Sequence, residues 1–485
     1  MTKERAYFVL FLNGLFLLPV GAAMLVPAIV DIVSASGGDD AVNFLTSAAV
    51  VGGVAALLVA AFRRPDFRLP DRRTGYLVTV SAWLSVSMCG AIPLYGSLDI
   101  SFTDALFESV SALTTTGATV LTGLDDMPQG LLLWRSLLQW IGGVGIIVMA
   151  LSVLPALSVG GMQFFRSESS DVSEKPFPKV RQLAQAIAAV YVSLTLACAI
   201  ALIFAGMPVF DAINHAMTTI ATGGFSIKDA SIGFYNSLPI ELVTEVFMVA
   251  GALPLAFYAV FLTQRGRNRV VDQQIGAFLL ILSLAISLCT AWNISQGMTP
   301  QEALRLSAFN VTSIITDTGF ATTDFSTWGS FAIGLFFMLY LVGGCAGSTA
   351  GAIKIFRWQL LFSGSVAGLR RMLHPNVVVS MRYQEKAVSD DAISAVRNFF
   401  FLYLMTLLVL SLLVMATGLD FLSATSAVAQ GMANAGPGLG PVVGPGTNFA
   451  AIPETAKWLI MLAMVLGRLE LVTFYVVLLP SFWMR

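Results

Sequence analysis

Ten stretches of about 20 apolar residues each limit the fold of this chain more than any other feature. An α-helix needs about 20 apolar residues to cross the hydrocarbon core of a bilayer, where backbone polar groups must pair within the protein. The chain is 56% hydrophobic and only 11% charged, which is too little charge for a water-facing surface of 485 residues. We therefore predict an all-α polytopic membrane protein. The predicted spans are 6–30, 42–62, 74–97, 131–157, 182–206, 239–263, 273–295, 329–356, 395–417 and 455–480.

Lysine and arginine are distributed unevenly among the loops between these spans. Positive charge is retained on the cytoplasmic side of a membrane protein. With the N-terminus inside, 22 of the 27 Lys and Arg residues fall on cytoplasmic segments, and Arg468 lies within the last span. We therefore expect both termini in the cytoplasm.

After the first two spans, one pattern occurs four times with a period of about one hundred residues. Each copy has a span, a shorter amphipathic stretch with a glycine-containing tail, and a second span. The middle pieces are DALFESVSALTTTGAT from Asp104, DAINHAMTTIATGGFS from Asp211, LSAFNVTSIITDTGFA from Leu306 and SATSAVAQGMANAGPG from Ser423. Aligned without gaps, they place Gly117, Gly224, Gly319 and Gly436 in one column, although Gly223 could replace Gly224 in the second repeat.

Each middle piece follows an outward-running span and precedes an inward-running one, yet it is too short and too polar to cross the bilayer. It must dip into the membrane from outside and return, which requires protein or water around it. Four such re-entrant segments around one axis form a pore. The predicted organisation is two additional N-terminal helices in 1–70 and four pore repeats in 71–165, 166–270, 271–390 and 391–485.

The residue types in the four tails favour a cation. Glycine reaches positive φ without steric penalty, so the backbone can turn its carbonyl groups toward an axis, where rings of carbonyl oxygens replace the water shell of a cation. The short helix before each tail points its negative C-terminal end at the same place. A single tail of this kind is typical of an ordinary turn, but four at matched positions indicate a filter.

The tails TTTGATV, TGGFS, TDTGF and NAGPGLG, with the stretch LLQWIGGVGIIVMALSVLPAL, resemble the Trk/Ktr/HKT superfamily of potassium-uptake proteins, and the TrkH family within it. The resemblance covers the whole chain. It implies a single polypeptide that imitates a tetrameric potassium channel, with potassium ions in the pore and no covalently bound cofactor. The filter residues carried over are Thr115, Thr116, Gly117, Thr222, Gly223, Gly224, Thr318, Gly319, Ala435 and Gly436.

The first filter glycine bears on the choice of ion. In sodium-selective plant relatives that position is typically serine, so Gly117 favours potassium over sodium. The residues after the four glycines differ from the TVGYG of true potassium channels. We therefore expect a shorter and less discriminating filter, through which rubidium or some sodium also passes.

A cluster of small residues interrupts the eighth predicted span, in LVGGCAGSTAGAIK. Glycine inside a helix costs about 0.5 to 1 kcal/mol relative to alanine, so a cluster this dense should break the helix. One interpretation is close helix packing through small residues. The other, implied by the resemblance and favoured here, is a flexible loop beneath the filter that acts as a gate. The candidate gating residues are Gly343, Gly344, Gly347, Ser348, Thr349 and Gly351.

Arg468 lies near the middle of the last predicted span, where an arginine costs at least roughly 2.5 kcal/mol. One interpretation is a structural tie to a carbonyl elsewhere. The favoured one, implied by the resemblance, is that the side chain projects into the pore below the filter and raises the barrier to cations. Glu470 is two residues away and, on a continuous helix, would not face Arg468.

The resemblance also implies a setting and partners. It implies the inner membrane of a bacterium, a homodimer in which each protomer has its own pore, and TrkA, a cytosolic ring of nucleotide-binding subunits that would dock on 264–272 and 357–397. Nucleic acid is not expected as a partner.

Other classes of function are weighed against this one. A transporter built from inverted repeats is disfavoured because these repeats run parallel. An enzyme is excluded because no nucleophile with its base, metal cluster or cofactor motif is present. A symporter that couples potassium to protons or sodium stays open.

Overall fold

The computed structural model describes residues 3–34, 38–64, 72–152, 176–263, 272–377, 381–383 and 386–484. This part of the chain is helical except for loops and one antiparallel pair of two-residue strands, β1 (Arg382–Tyr383) and β2 (Lys386–Ala387). Three predicted repeat boundaries, near 70, 165 and 270, fall in or beside segments that lie outside the described residues. So do Arg485 and nearly all of the predicted docking loop 264–272.

Three helices precede the first repeat, α1 (Lys3–Ala23), α2 (Leu25–Ser34) and α3 (Gly38–Phe62). The first two form one apolar segment of 32 residues, and α3 returns beside it. These helices lie where the hydropathy predicts the first two spans, 6–30 and 42–62.

The four repeats follow in chain order, each with a short helix between longer ones. The first contains α4 (Arg72–Ser97), α5 (Phe102–Leu113) and α6 (Gln129–Ser152). The second contains α7 (Pro176–Phe204), α8 (Val209–Ile220), α9 (Leu238–Ala252) and α10 (Leu255–Thr263). The third contains α11 (Gln273–Ser295), α12 (Pro300–Ile315), α13 (Ser330–Leu339) and α14 (Ile355–Leu373). The fourth contains α15 (Asp390–Met415), α16 (Phe421–Ala433), α17 (Glu454–Arg468), α18 (Leu471–Leu478) and α19 (Pro480–Trp483).

The short helices α5, α8, α12 and α16, called the pore helices below, have 12, 12, 16 and 13 residues. At about 1.5 Å per residue, none of them can cross a hydrocarbon core of about 30 Å. Three of them are preceded by a capping residue whose side chain accepts a hydrogen bond from the backbone N–H three residues later. The capping residues are Ser101, Thr299 and Asp420. Most of their residues are buried on every side, as re-entrant helices surrounded by protein require.

Six helical segments in the described part of the chain are long and apolar enough to cross a membrane, with α1 and α2 counted as one. Two of the predicted spans, 239–263 and 455–480, are interrupted where the sequence predicts no break. The stretch 239–263 breaks before Pro254, which has no N–H to donate. The last stretch bends by 110° between α17 and α18, where Glu470 has a φ of 56°. The stretch 329–356 is interrupted from 340 to 354, as its glycines predict.

Polar contacts among the pore helices and the nearby loops join each repeat to the next. They also join the fourth repeat to the first, so the four repeats form a closed ring. Each seam has at least one specific polar contact between residues far apart in sequence. These contacts are Arg135 with the Ser226 carbonyl at 3.0 Å, Arg305 with Glu241 at 2.7 Å, the Gly440 N–H with Ser326 Oγ at 3.2 Å, and Lys457 with Asp104 at 2.6 Å. The fourth repeat therefore packs against the first, and the pore helices surround one centre.

Candidate ion pathway

The chain takes the same backbone path after each pore helix. It adopts left-handed φ at two positions, two residues apart. The first positions are Thr115 (52°), Thr222 (49°), Asp317 (60°) and Asn434 (59°). The second are Gly117 (85°), Gly224 (71°), Gly319 (89°) and Gly436 (85°). The matched pattern places Gly224, not Gly223, in the same backbone position as Gly117, Gly319 and Gly436, and so resolves the register of the second repeat.

The residue between the two left-handed positions makes the same hydrogen bond in every repeat. Its N–H donates to the carbonyl five residues back, inside the pore helix. The four bonds are Thr116 to Ser111 at 2.9 Å, Gly223 to Thr218 at 2.8 Å, Thr318 to Ser313 at 2.9 Å and Ala435 to Gln430 at 3.1 Å. Each tail is thus held against the carboxyl end of its own helix.

The four tails meet backbone to backbone. A Cβ atom on Gly117 would overlap the Gly223 carbonyl oxygen, and one on Gly224 would overlap that of Thr318. A Cβ on Gly319 would lie 2.6 Å from the Ala435 carbonyl oxygen. The carbonyls before Gly224, Gly319 and Gly436 therefore each lie beside the glycine of the preceding tail. All ten predicted filter residues belong to these segments, which we call the filter segments.

A cavity of about 600 Å³ lies on one side of the filter segments. Residues from all four repeats line it, including Gly117, Gly224 and Gly319. Its charged lining residues are Arg135, Lys228, Asp229 and Asp324. The two positive and two negative groups balance each other along this cavity wall.

The loop at 340–354, between α13 and α14, lies under the ends of two pore helices. The Thr349 hydroxyl donates to the carbonyls of Ile220, at 3.0 Å, and Gly251, at 3.1 Å. The Ala352 N–H donates to the Ala433 carbonyl at 2.9 Å. All six candidate gating residues of 343–351 belong to this loop. Because Ile220 and Ala433 end α8 and α16, the loop is next to the filter segments on the side opposite the cavity.

The loop is also closely packed, so the two interpretations of its glycines are not exclusive. A Cβ on Gly351 would overlap the Ala433 carbonyl oxygen, and one on Gly344 would lie 2.9 Å from the Ala252 carbonyl oxygen. Small residues both interrupt the helix and let the loop approach its neighbours.

Arg468 is buried, with 3% of its surface exposed, and it contacts the same loop. Its Nη1 donates to the Thr349 carbonyl at 2.9 Å and its Nη2 to the Gly142 carbonyl at 3.4 Å. The structural tie to a carbonyl is therefore present, and the carbonyl belongs to the candidate gate. Glu470 pairs instead with Arg357 of α14, at 2.6 Å.

A family model, TrkH, described as cation transport protein, matches residues 43–483. The chain belongs to the TrkH family. It is 42% identical over 463 residues to the Trk system potassium uptake protein TrkI of Halomonas elongata, covering 95% of this chain and 93% of that protein. It is 36% identical to the Trk system potassium uptake protein TrkH of Escherichia coli K12, covering 97% and 98%.

The crystal structure of the potassium transporter TrkH from Vibrio parahaemolyticus has the same fold. It matches with a TM-score of 0.90 at 36% identity, covering 100% of both chains. This TrkH-family chain is therefore a multi-pass membrane transporter and not an enzyme.

Four polar side chains on the pore helices of this TrkH-family chain, called anchors below, were not predicted from the sequence. In each repeat, a pore-helix side chain binds a residue 11 to 13 positions onward, just beyond the filter segment. The pairs are Glu108 with the Val120 N–H at 3.0 Å, His215 with Ser226 Oγ at 3.0 Å, Asn310 with the Thr322 N–H at 3.2 Å and Ser426 with the Leu439 N–H at 2.9 Å. The gap-free alignment contains the signal, since Glu108, His215 and Asn310 share one column.

Two further residues near the filter segments were also missed. Gln139 of α6 donates to the Gly223 carbonyl at 2.8 Å and accepts from the Phe225 N–H at 3.1 Å. Asp317 is fully buried, and its carboxyl group faces the backbone of the loop and the cations of Lys354 and Arg468. Gln139 occurs in one repeat alone, so the internal alignment holds no signal for it.

Proposed function

We propose that this chain mediates potassium uptake, with the four filter segments as its selectivity filter. The observation that carries the proposal is the repeated backbone path, with left-handed φ two residues before the glycine and at the glycine in every repeat. This path brings backbone carbonyl groups of neighbouring segments together, and such carbonyls can replace the water shell of a cation. Relatives named potassium uptake proteins support potassium as the ion.

The proposed potassium ligands are backbone carbonyl and threonine oxygens of the ten filter residues. They include Thr115 and Thr116 before Gly117, and Thr222, Gly223, Thr318 and Ala435 in the other segments. Eight of the ten are buried, and Gly117 and Gly319 are half-buried, so an ion among them is largely shielded from bulk water. Glycine at 117 supports potassium over sodium, because the sodium-selective plant relatives typically have serine there.

We propose that the loop 340–354 and Arg468 form the gate. The loop is hydrogen-bonded beneath the ends of α8 and α16, and Arg468 is bonded to the loop through Thr349. A guanidinium group at this depth repels a cation that leaves the filter. In this proposal, opening requires the loop and Arg468 to move together.

The proposed setting is lipid of the bacterial inner membrane, with both termini in the cytoplasm, two copies per assembly and TrkA as cytosolic partner. The distribution of Lys and Arg supports the orientation, and the Trk system names of the relatives support a multi-component assembly. Light scattering in detergent should give the mass of a dimer. Substitution of the exposed Arg370 and Arg371 by glutamate should weaken co-purification with TrkA, since both lie in the proposed docking region.

Flux in proteoliposomes tests the function. Purified protein is reconstituted, and potassium, rubidium and sodium uptake are compared under set proton and sodium gradients. Potassium flux that follows only its own gradient supports a channel-like pathway. Flux that changes with the proton or sodium gradient supports the alternative, a cation symporter. No potassium flux from correctly folded protein would refute the proposal.

A further inference from the structure

Glu108 of α5 and Arg135 of α6 form a fully buried ion pair beside the first filter segment. The Arg135 Nε and Glu108 Oε1 atoms are 2.7 Å apart, and the two side chains are 1% and 0% exposed. Taking two charges out of water costs several kcal/mol per ion, and apolar residues of the same volume often stabilise a fold equally well. Stability alone is therefore a weak explanation for this pair.

The polar contacts of the pair are with residues that follow directly after the filter segments in the chain. Glu108 accepts hydrogen bonds from the Val120 N–H and from the Thr119 hydroxyl, each at 3.0 Å. Arg135 donates to Thr119 at 3.3 Å and to the Ser226 carbonyl at 3.0 Å. Thr119 and Ser226 each come two residues after a filter glycine. The pair therefore joins the outgoing ends of the first and second filter segments.

The second filter segment is held to α6 at further points. The Arg135 guanidinium lies over the Phe225 ring, 4.2 Å from its centre. Gln139, one turn along α6 from Arg135, binds the Gly223 carbonyl and the Phe225 N–H. The Gly223 carbonyl is also the group against which Gly117 packs. The distance between the first two filter segments thus depends on Arg135, which Glu108 holds in place.

The corresponding anchors in the other repeats, His215, Asn310 and Ser426, are not acidic, and each binds within its own repeat. Charge-assisted hydrogen bonds are shorter and about twice as strong as neutral ones. The first repeat therefore has the strongest anchor of the four. Through Arg135, this anchor is also hydrogen-bonded to Ser226 of the second repeat.

We propose that Glu108 and Arg135 are positioning residues for ion selectivity: their bonds to Thr119, Val120 and Ser226 keep the first two filter segments at the separation that suits dehydrated potassium. Loss of the pair lets the segments move apart, so the filter discriminates less against sodium. This inference rests on the proposed function, namely that the filter segments select potassium.

The test compares Glu108→Gln with a matched control, Glu241→Gln. Glu241 also pairs with an arginine, Arg305, at 2.7 Å and is itself buried, but this pair bonds to Asn236 and not to a filter segment. Sodium and potassium uptake are measured per folded protein in proteoliposomes. We expect Glu108→Gln to raise the sodium-to-potassium uptake ratio about tenfold, as loss of a charge-assisted bond in a buried site implies. Glu241→Gln should leave the ratio unchanged.

Glu108→Gln leaves Arg135 buried without its charged partner, which could prevent folding. Two further variants keep the inference testable in that case. Glu108→Gln combined with Arg135→Gln removes both charges. Arg135→Lys keeps the charge but has one nitrogen in place of the three that donate to Glu108, Ser226 and Thr119. Both should raise the ratio while the melting temperature of the double variant stays close to that of the unchanged protein.

The outcomes separate this inference from the proposed function. If the unchanged protein carries potassium selectively and the folded Glu108 and Arg135 variants keep its ratio, the positioning role is wrong and the function stands. If the unchanged protein does not distinguish potassium from sodium, the proposed function is wrong, and the positioning role that rests on it is wrong as well.

Discussion

At the residue scale, backbone conformation decides which side chains the filter segments tolerate. Thr115, Thr222, Asp317 and Asn434 have left-handed φ although none is glycine. This conformation costs a threonine roughly 1 to 2 kcal/mol, and it costs aspartate and asparagine less. Such strain persists only where the surroundings hold it, and here the repeated hydrogen bond into the pore helix does so. At the second left-handed position of all four segments, the neighbouring segment also excludes a Cβ atom.

Gly117→Ser should lower potassium uptake by about tenfold or more and raise the share of sodium, because the new Cβ displaces the Gly223 carbonyl. Isotope uptake in proteoliposomes measures both. Gly206→Ser is the control, since Gly206 has a φ of 99° but its Cβ position has no neighbouring atom within 4 Å. It should lose about 1 kcal/mol of stability and keep the ion ratio. Equal ratios in both variants would contradict the expectation.

Arg468→Ala should increase potassium flux by roughly tenfold, which corresponds to about 1.4 kcal/mol of removed barrier. The substitution removes the positive charge beside the loop and the bond to the Thr349 carbonyl. Arg468→Lys keeps the charge and should keep the flux low. Unchanged or lower flux from Arg468→Ala, with a normal amount of folded protein, would show that Arg468 is a structural tie only.

At the element scale, the interruption of an α-helix creates the candidate gate. Carbonyl and N–H groups that an unbroken helix would pair internally bind neighbouring elements instead. The Cys345 N–H binds the Ala252 carbonyl, the Ala352 N–H binds the Ala433 carbonyl, and the Gly347 carbonyl accepts from the Leu255 N–H. The loop is thus attached to the second and fourth repeats by a few hydrogen bonds, each of modest net strength.

Thr349→Val should raise potassium flux about fivefold, because loss of the hydroxyl removes about 1 kcal/mol of attachment to Ile220 and Gly251. Flux is measured in proteoliposomes, and ion ratios should stay constant because the filter segments are untouched. Thr425→Val is the control, since that hydroxyl bonds only within α16 among the described residues. A fall in flux would indicate that Thr349 favours the open state.

At the scale of the whole molecule, the four repeats form a closed ring whose last seam joins residues more than 350 positions apart. Lys457 of α17 donates to Asp104 of α5, at 2.6 Å, and to the Ala450 carbonyl at 3.0 Å. The ammonium group is nearly fully buried, so its attraction to Asp104 is screened little by water. A pore made from one chain depends on this seam as much as on the three that join consecutive repeats.

Lys457→Met should lower stability by about 1 to 3 kcal/mol, because Asp104 loses its charged partner. The melting temperature in detergent measures the change. Lys228→Met is the matched comparison, since Lys228 pairs with Asp125 at 3.4 Å in a more exposed position, with side chains 19% and 38% exposed. It should cost at most about 1 kcal/mol. A loss as large as that of Lys457→Met would refute the special role of the last seam.

Hydropathy and internal repetition are local properties of a chain, so the membrane fold, the pore helices and the column of four glycines could be predicted. The break at 340–354 was also predictable, because glycine weakens a helix wherever it occurs. The bend after Arg468 was not, since Leu469 and Glu470 are ordinary helix residues. The 2.6 Å contact of Glu470 with Arg357, 113 positions away, accompanies that bend.

The sequence by itself determined that this chain crosses a membrane and contains one pattern four times. It also determined that four re-entrant segments, each with a glycine-containing tail, meet around one axis. Only the tertiary structure decided that Gly224 and not Gly223 is the second glycine, because the two differ in φ and not in chemistry. It alone placed Glu108, Arg135 and Gln139 against the filter segments. Long-range contacts of this kind depend on how helices pack, which no local pattern encodes.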